Sequence, residues 1–473
     1  MLYNKPVYFG KYSNINKNLL TDLISRYTLY LRVRTRKKGF IISKTRRNIM
    51  AEKVKTSSDG QFASQAVPMD KRMKTVTLFG SLSGFVFMTT SLQAGAGMGF
   101  AADFMTVIKA IAVGCIFLAA LACVMAAAAS KTGLTFGQLC AYAYGKIGSK
   151  IIGFFIAFSL LGWTAVDAGL MASAINAIVP AVPYFPISLV CCVLFTLTAA
   201  FGMKVMSKLG SLCVPIIGIF GLVSMILGAR SVGGMEGLLA YVPLPGSQAK
   251  FGALVGMAIG SWIGCACSLL PDFIRFAKST KAAVGLSLLF MLIINPLMLI
   301  IGAIGAIATS KGDLPYVLAA QGLAIPGLLI GIFGNWGPAQ GNEYSCALTW
   351  GNIFKLEHKK MTFICGAIAL ILTAFNFFAY FGSFIIFLSN CVPAIIGVFV
   401  ADFLYTYRKG YPPAEQLQFN FDWRGLAAVA VGIVLAFAPL PGISQIWCVG
   451  GAIAVRLILS VVGKNSPAKI YVA

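Results

Sequence analysis

The sequence predicts an all-α, polytopic membrane protein of twelve transmembrane helices. Composition is the first observation: of 473 residues, 58% are hydrophobic and only 11% charged, whereas soluble domains carry about a quarter charged residues. The second is the mean hydropathy of +0.85, carried by repeated apolar runs close to the roughly 20 residues that a bilayer core requires. The third is an alternation of basic and non-basic loops between those runs.

These observations exclude whole classes of function. A soluble globule with so few charges would expose large apolar patches, so a soluble enzyme, a nucleic-acid binder and a disordered chain are ruled out. The single histidine, His358, leaves no imidazole metal cluster. The 12 cysteines form no C-x-x-C pair, and buried thiols in apolar runs are small core hydrophobes. No metal or other cofactor is expected. A primary pump would need a G-x-x-x-x-G-K-[ST] loop, which the chain lacks.

Residues 1–75 read as a basic cytoplasmic tail. Segment 1–49 holds 12 of the 38 Lys and Arg but one acid, Asp22, and lacks the apolar core of a secretory signal. Translation beginning at Met50 is an alternative reading of that segment. Apolar runs follow at about 76–100, 104–129, 151–179, 186–206, 209–229, 251–271, 283–309, 323–350, 361–378, 379–402, 425–440 and 444–463, with a short tail at 464–473. Even-to-odd loops carry Lys131, Lys146 and Lys150; Lys204 and Lys208; Arg275, Lys278 and Lys281; Lys355, Lys359 and Lys360; and Arg408, Lys409 and Arg424. The opposite loops are poor in basic residues, which places both termini in the cytoplasm and the protein in the cell (inner) membrane.

Two spans look interrupted. The first contains Ser91-Leu92-Gln93-Ala94-Gly95-Ala96-Gly97-Met98-Gly99, and the sixth contains Gly260-Ser261-Trp262-Ile263-Gly264 followed by Pro271. Broken helices survive in lipid only where the freed backbone lines a cavity or is buried in protein. Breaks five spans apart fit two inverted five-helix repeats with a midplane site. The competing reading is that such glycines simply allow close helix packing.

The candidate site residues gather on those spans. Trp163 lies mid-span in the third helix, Trp262 at the sixth-span break, and Trp336 in the eighth, away from the interfaces where membrane Trp collects. Asp167 follows Trp163 by four residues, on the same helical face. Gln340, Asn342 and Glu343 place polar groups within the eighth span. Acidic groups inside a membrane are expensive and point to substrate or ion pathways. No nucleophile, base and oxyanion-donor set occurs, so a membrane enzyme is not expected. A non-transporting receptor on the same framework is the other class left open.

The chain also resembles the nucleobase–cation symport family, within it the cytosine permease branch, over about 76–463. The resemblance rests on Lys131-Thr132-Gly133-Leu134-Thr135, Gly162-Trp163, Gly260-Ser261-Trp262, Asp272-Phe273-Ile274-Arg275-Phe276, Ala320-Gln321-Gly322-Leu323 and Ala401-Asp402-Phe403. It implies twelve helices, ten of them in the inverted repeat, and uptake of a nucleobase or related heterocycle by alternating access with Na⁺ or H⁺. It further implies that Trp163 and Trp262 stack on the two faces of the base, with Gly260 and Ser261 as backbone contacts. Cytosine is the first expectation, with a purine, uracil, hydantoin, allantoin or a thiamine precursor as alternatives. The sequence does not set the oligomeric state, for which a monomer is one reading, and no nucleic-acid partner is expected.

The departures from the family pattern bear on ion and substrate. A third-span Gln of cytosine permeases becomes Leu160, and an eighth-span Trp-Thr-Thr-Asn-Asp run becomes Trp336-Gly337-Pro338-Ala339-Gln340. The hydroxyl pair that helps hold sodium in the family is therefore missing. A sodium site would have to use backbone near Leu92–Gly95 with Ser345 or other oxygens. Asp167 and Glu343 instead offer carboxylates to carry a proton or bind a substrate nitrogen. Protons are the first expectation and sodium the alternative.

Overall fold

The computed structural model describes residues 65–201, 203–412 and 420–462 together with Phe62 and Leu417, without the side chains of 203–213. Segment 1–49 and the tail 464–473 lie outside the described residues. Within these bounds every regular element is helical: α1 (Thr75–Ser83), α2 (Thr89–Ala101), α3 (Phe104–Thr132), α4 (Phe136–Ile178), α5 (Tyr184–Ala200), α6 (Met203–Ser231), α7 (Phe251–Gly260), α8 (Cys265–Ile274), α9 (Thr280–Thr309), α10 (Leu314–Ala320), α11 (Ala324–Phe354), α12 (His358–Ala374), α13 (Phe381–Ala401), α14 (Trp423–Phe437) and α15 (Ser444–Val462). The first span is α1 with α2 and the sixth is α7 with α8; α10 lies in a loop, which leaves twelve spans.

Local chemistry sets the helix ends. Asp103 caps α3 by accepting a hydrogen bond from the Thr106 amide at 2.9 Å. Thr135 and Gln138 form a capping box that starts α4, satisfying two otherwise orphaned amides. Gly145, at φ 79°, kinks α4 near its start, in a region costly for residues with a Cβ. Among the described residues six helices are long and apolar enough to cross a membrane, and α7 with α8 forms a bent pair at 40°. The other spans are shorter, broken or polar along one face. Large side chains such as Ile116, Val190, Ile293 and Val434 point outward, exposed, as lipid-facing positions do.

The sixth-span break lies at 261–264, where the sequence placed it. The first-span break does not coincide with the glycine-rich stretch. It falls at 84–88, before α2, and Leu92 and Gly95 lie inside regular helix. Close packing against α9 explains Gly95: a Cβ there would sit 2.0 Å from the Leu299 carbonyl oxygen. The glycines of α2 thus bring two backbones together, and the competing reading of that stretch holds.

Residues 65–74, grouped by sequence with the polar tail, pack on the bundle. The Val67 amide donates to the Gly133 carbonyl at 2.9 Å and the Met73 amide to Phe276 at 2.8 Å. The Arg72 guanidinium donates to the carbonyls of Ser130 and Ala277. This strap ties the end of α3 to the end of α8.

On the other face, α10 forms a small lid whose Leu314, Val317 and Leu318 are buried. Its leading residue Asp313 bonds Ser173 near the end of α4, and burial pushes its carboxyl up to about 7. A carboxyl raised in the docked lid favours docking while protonated. Docking is therefore strongest below the ordinary carboxylate value and weakens as pH rises through about 7. Amide exchange over 314–320, corrected for intrinsic rates, should accelerate between about pH 5 and about pH 8. Asp313→Asn should flatten that dependence; an unchanged pH profile in the variant would remove Asp313 from this role.

Candidate functional site

The two breaks and the middle of α4 and α11 meet around a narrow pocket, with a free volume of about 10 Å³ in this conformation. Glycines of α11 make the meeting possible. A Cβ on Gly337 would lie 2.5 Å from the Gly84 carbonyl oxygen, and one on Gly341 would lie 2.3 Å from the Phe85 ring. The first-span break therefore rests directly on the eighth-span backbone. Thr89 donates its hydroxyl proton to Asn335 Oδ1, a second tie between break and helix.

The cavity has one aromatic wall, one polar edge and a small floor. Trp163 is the aromatic wall, supported edge-on by Phe384 at 5.3 Å and Phe381 at 6.1 Å between ring centres. The polar edge is Asp167 with Asn342, whose Nδ2 donates to Asp167 Oδ2 at 3.3 Å. Met88, Thr90, Ser261, Cys265 and Pro338 complete the lining. Trp163 Nε1, Asp167 Oδ1, Asn342 Oδ1 and Thr90 Oγ1 have no hydrogen-bond partner among the described residues. They comprise an indole donor, two acceptors and a hydroxyl that serves as either. Buried polar groups are normally satisfied, so these four atoms present an unfilled, mixed recognition edge beside a flat ring.

The sequence-derived site residues divide into two groups. Trp163, Asp167, Ser261 and Asn342 come together on the cavity. Gly260, Trp262, Gln340 and Glu343 are not on its wall. Gly260 faces Ile385 and Ser389 of α13. Trp262 is 1% exposed and donates its indole N–H to the Phe85 carbonyl at 3.0 Å. In this conformation it holds the first-span break rather than offering a stacking face. Glu343 turns toward α5, where Oε1 lies 3.0 Å from the Thr196 hydroxyl. Ser345 sits beside Asp272 of α8, away from the first-span break.

Sequence reasoning missed Met88, Thr90, Cys265 and Pro338. The hydroxyl run Thr89-Thr90-Ser91 in an otherwise apolar span was a usable signal for one of them. The sodium geometry expected from the family is also altered. Gly337 and Pro338 supply no side-chain oxygen, and α11 at Gly337 is in contact with the Gly84 carbonyl. Leu92 and Gly95, proposed as backbone ligands, face α9 instead.

Comparison with known proteins extends this picture. A family profile described as permease for cytosine/purines, uracil, thiamine, allantoin matches residues 66–460. The chain is similar to the cytosine permease of Escherichia coli K12, 27% identical over 416 residues, covering 87% of this chain and 97% of that one. Among solved structures, Mhp1, a nucleobase-cation-symport-1 family transporter, in a closed conformation with bromovinylhydantoin bound has a TM-score of 0.74 at 16% identity, covering 86% and 96% of the two chains. Inward-facing Mhp1 gives 0.71 at 18%, covering 86% and 93%. A Na⁺-coupled sialic acid symporter gives 0.59 at 12%, covering 82% and 89%. The two five-helix halves, broken in their first helices, are the architecture these structures share with this chain. The protein is a transporter rather than an enzyme, and it belongs to the family of permeases for cytosine/purines, uracil, thiamine and allantoin.

Proposed function

We propose that the protein imports a nucleobase, cytosine first among candidates, by proton symport through alternating access. The observation that carries this reading is the pairing of the Trp163 ring with the Asp167–Asn342 edge around one narrow pocket. A flat heterocycle with ring N–H, carbonyl and exocyclic amine groups matches that combination, stacking on the indole while the edge reads its donors. The basic even-to-odd loops support the part of this reading that has both termini in the cytoplasm and the protein in the inner membrane of the cell. Asp167 and Glu343 are membrane carboxyl groups that could carry the coupling proton. The apolar Leu160, where cytosine permeases carry a Gln, favours a second reading in which another heterocycle of the family's range is preferred.

Uptake of radiolabelled cytosine by cells lacking their own permeases tests the reading. Saturable uptake, competed by cytosine more strongly than by uracil, purines, hydantoin or allantoin, is the expected result. Stronger competition by any of the others would transfer the assignment to that heterocycle.

Restoring a family hydroxyl provides a separate test of the ion. Gly337→Ser places a Cβ against the Gly84 carbonyl, at 2.5 Å in the present packing. Overpacking of this kind typically costs about 1–3 kcal/mol. Uptake should fall in this variant without becoming sodium-dependent. Sodium-stimulated uptake by Gly337→Ser would show that the missing hydroxyl alone excludes sodium, and sodium-stimulated uptake by the unmodified protein would contradict proton coupling.

A further inference from the structure

We infer that the coupling proton resides on Glu343, in a polar site sealed off from the substrate cavity on the far side of α11. The inference rests on the proposed proton symport and locates its ion. Asn342 and Glu343 are consecutive, so they point roughly 100° apart around the helix. One joins Asp167 at the cavity and the other faces α5, which separates substrate from proton on two sides of a single element.

Hydrogen-bond counting assigns the protonation state. Thr196 Oγ1 lies 3.0 Å from Glu343 Oε1 and also 3.0 Å from the Cys192 carbonyl oxygen. A threonine hydroxyl has one proton to give. If Glu343 were ionised, two acceptors would compete for it. If Glu343 is a carboxylic acid, it donates to Thr196, and Thr196 donates onward to Cys192, satisfying both contacts. No Lys, Arg or His is within ion-pairing distance of Glu343 among the described residues. The titratable groups around it are thiols: Cys192 on α5, Cys346 on α11, and Cys365 on α12, whose sulfur lies 3.3 Å from that of Cys346. A buried carboxylate without a cation is strongly disfavoured.

A second observation shows that the site is built to hold something polar. Gln340 stands three residues before Glu343 on the same face, is 0% exposed, and has neither amide atom bonded. Glu343 Oε2 likewise has no partner. One turn further, Trp336 Nε1 donates to Thr198 of α5 at 3.0 Å. The α5–α11 interface therefore carries a polar line, from Thr198 and Trp336 past Gln340 to Glu343 and Thr196, that the substrate cavity does not use. Gain and loss of a proton at Glu343 changes what α11 bonds to in α5, while the adjacent Asn342 reads the substrate. Linkage through one helix makes the two binding events reciprocal.

The test uses purified full-length protein in proteoliposomes with cytosine as probe. Wild type should accumulate cytosine under an inside-alkaline pH gradient, and Glu343→Gln should lose at least about tenfold of that accumulation. The thermal midpoint and monodisperse yield of detergent-solubilised Glu343→Gln should match wild type, showing a folded carrier. Thr196→Val should shift the pH profile of accumulation while retaining it. Gradient-driven accumulation by Glu343→Gln equal to wild type would overturn the assignment. Absence of accumulation by wild type would instead overturn the proposed proton symport. Infrared spectra at neutral pH decide the site independently of substrate: wild type should show a protonated-carboxyl band that Glu343→Gln lacks. Identical spectra would mean that Glu343 is ionised and that the inference is wrong.

Discussion

Asp167→Leu should abolish saturable uptake while leaving insertion and yield intact. Asp167 is 1% exposed and lies on the cavity wall, with Oδ2 held by Asn342 and Oδ1 free for a ligand. A hydrogen bond to a charged group contributes about 1.5–3 kcal/mol, or roughly a 10- to 150-fold change in affinity. Leucine removes that bond and also leaves the Asn342 amide without its partner, so the two losses compound. Asp167→Asn preserves shape and should fall between the two, with weakened binding rather than none. Trp163→Ala should act on the other recognition element, since stacking of a base on an aromatic ring is worth about 1–3 kcal/mol. Kinetics of labelled uptake, with surface expression measured in parallel, separate these cases. Wild-type affinity in Asp167→Leu would mean that the cavity is not the substrate site.

The elements most legible in the sequence were those governed by a single physical requirement. Bilayer thickness fixed the spans to within a few residues at most ends, and helical spacing put Trp163 and Asp167 on one face. Where two requirements produce the same residue type, the sequence was ambiguous. Glycine serves both a broken helix and a close packing face. Gly95 and Gly84 were not distinguishable until Leu299 of α9 was seen against the former and Gly337 of α11 against the latter.

Tryptophan presents the same difficulty, because its ring stacks and its N–H donates. At position 262 the donor function prevails, through the bond to Phe85, which no pattern within the sixth span could disclose. Trp262→Phe keeps an aromatic face but leaves the Phe85 carbonyl unpaired, and losing a buried partner costs about 1–3 kcal/mol. The neighbours Asn342 and Glu343 show a further limit. Rotation about the helix axis separates a cavity residue from an interface residue, and that rotation is set by α4 and α5 together, not by α11 alone.

Arg456→Ala should be the most destabilising single substitution on the face with basic loops. Arg456 is 0% exposed on α15 and holds Asp402 through Nε at 2.9 Å and Nη2 at 2.8 Å. It also holds Asp422 through Nη1 at 2.6 Å. Asp402 additionally accepts the Thr406 hydroxyl, and the Asp422 amide donates to the Tyr144 carbonyl. One guanidinium therefore fastens the end of α13, the start of α14 and the middle of α15 to the kinked opening of α4. Truncating it strands the buried Asp402 carboxylate and leaves Asp422 only Arg424 at 3.4 Å, and breaking such a buried pair costs about 3–5 kcal/mol. The expected result is a large fall in monodisperse yield and in the thermal midpoint of detergent-solubilised protein. Arg456→Lys should recover little, because an ammonium cannot reproduce the planar two-carboxylate fork. Combining Arg456→Met with Asp402→Asn and Asp422→Asn removes every stranded charge and should recover much of the loss. That recovery would show that the cluster's importance lies in leaving no charge unpaired; an unchanged midpoint in Arg456→Ala would show that α14 and α15 are held by apolar packing alone.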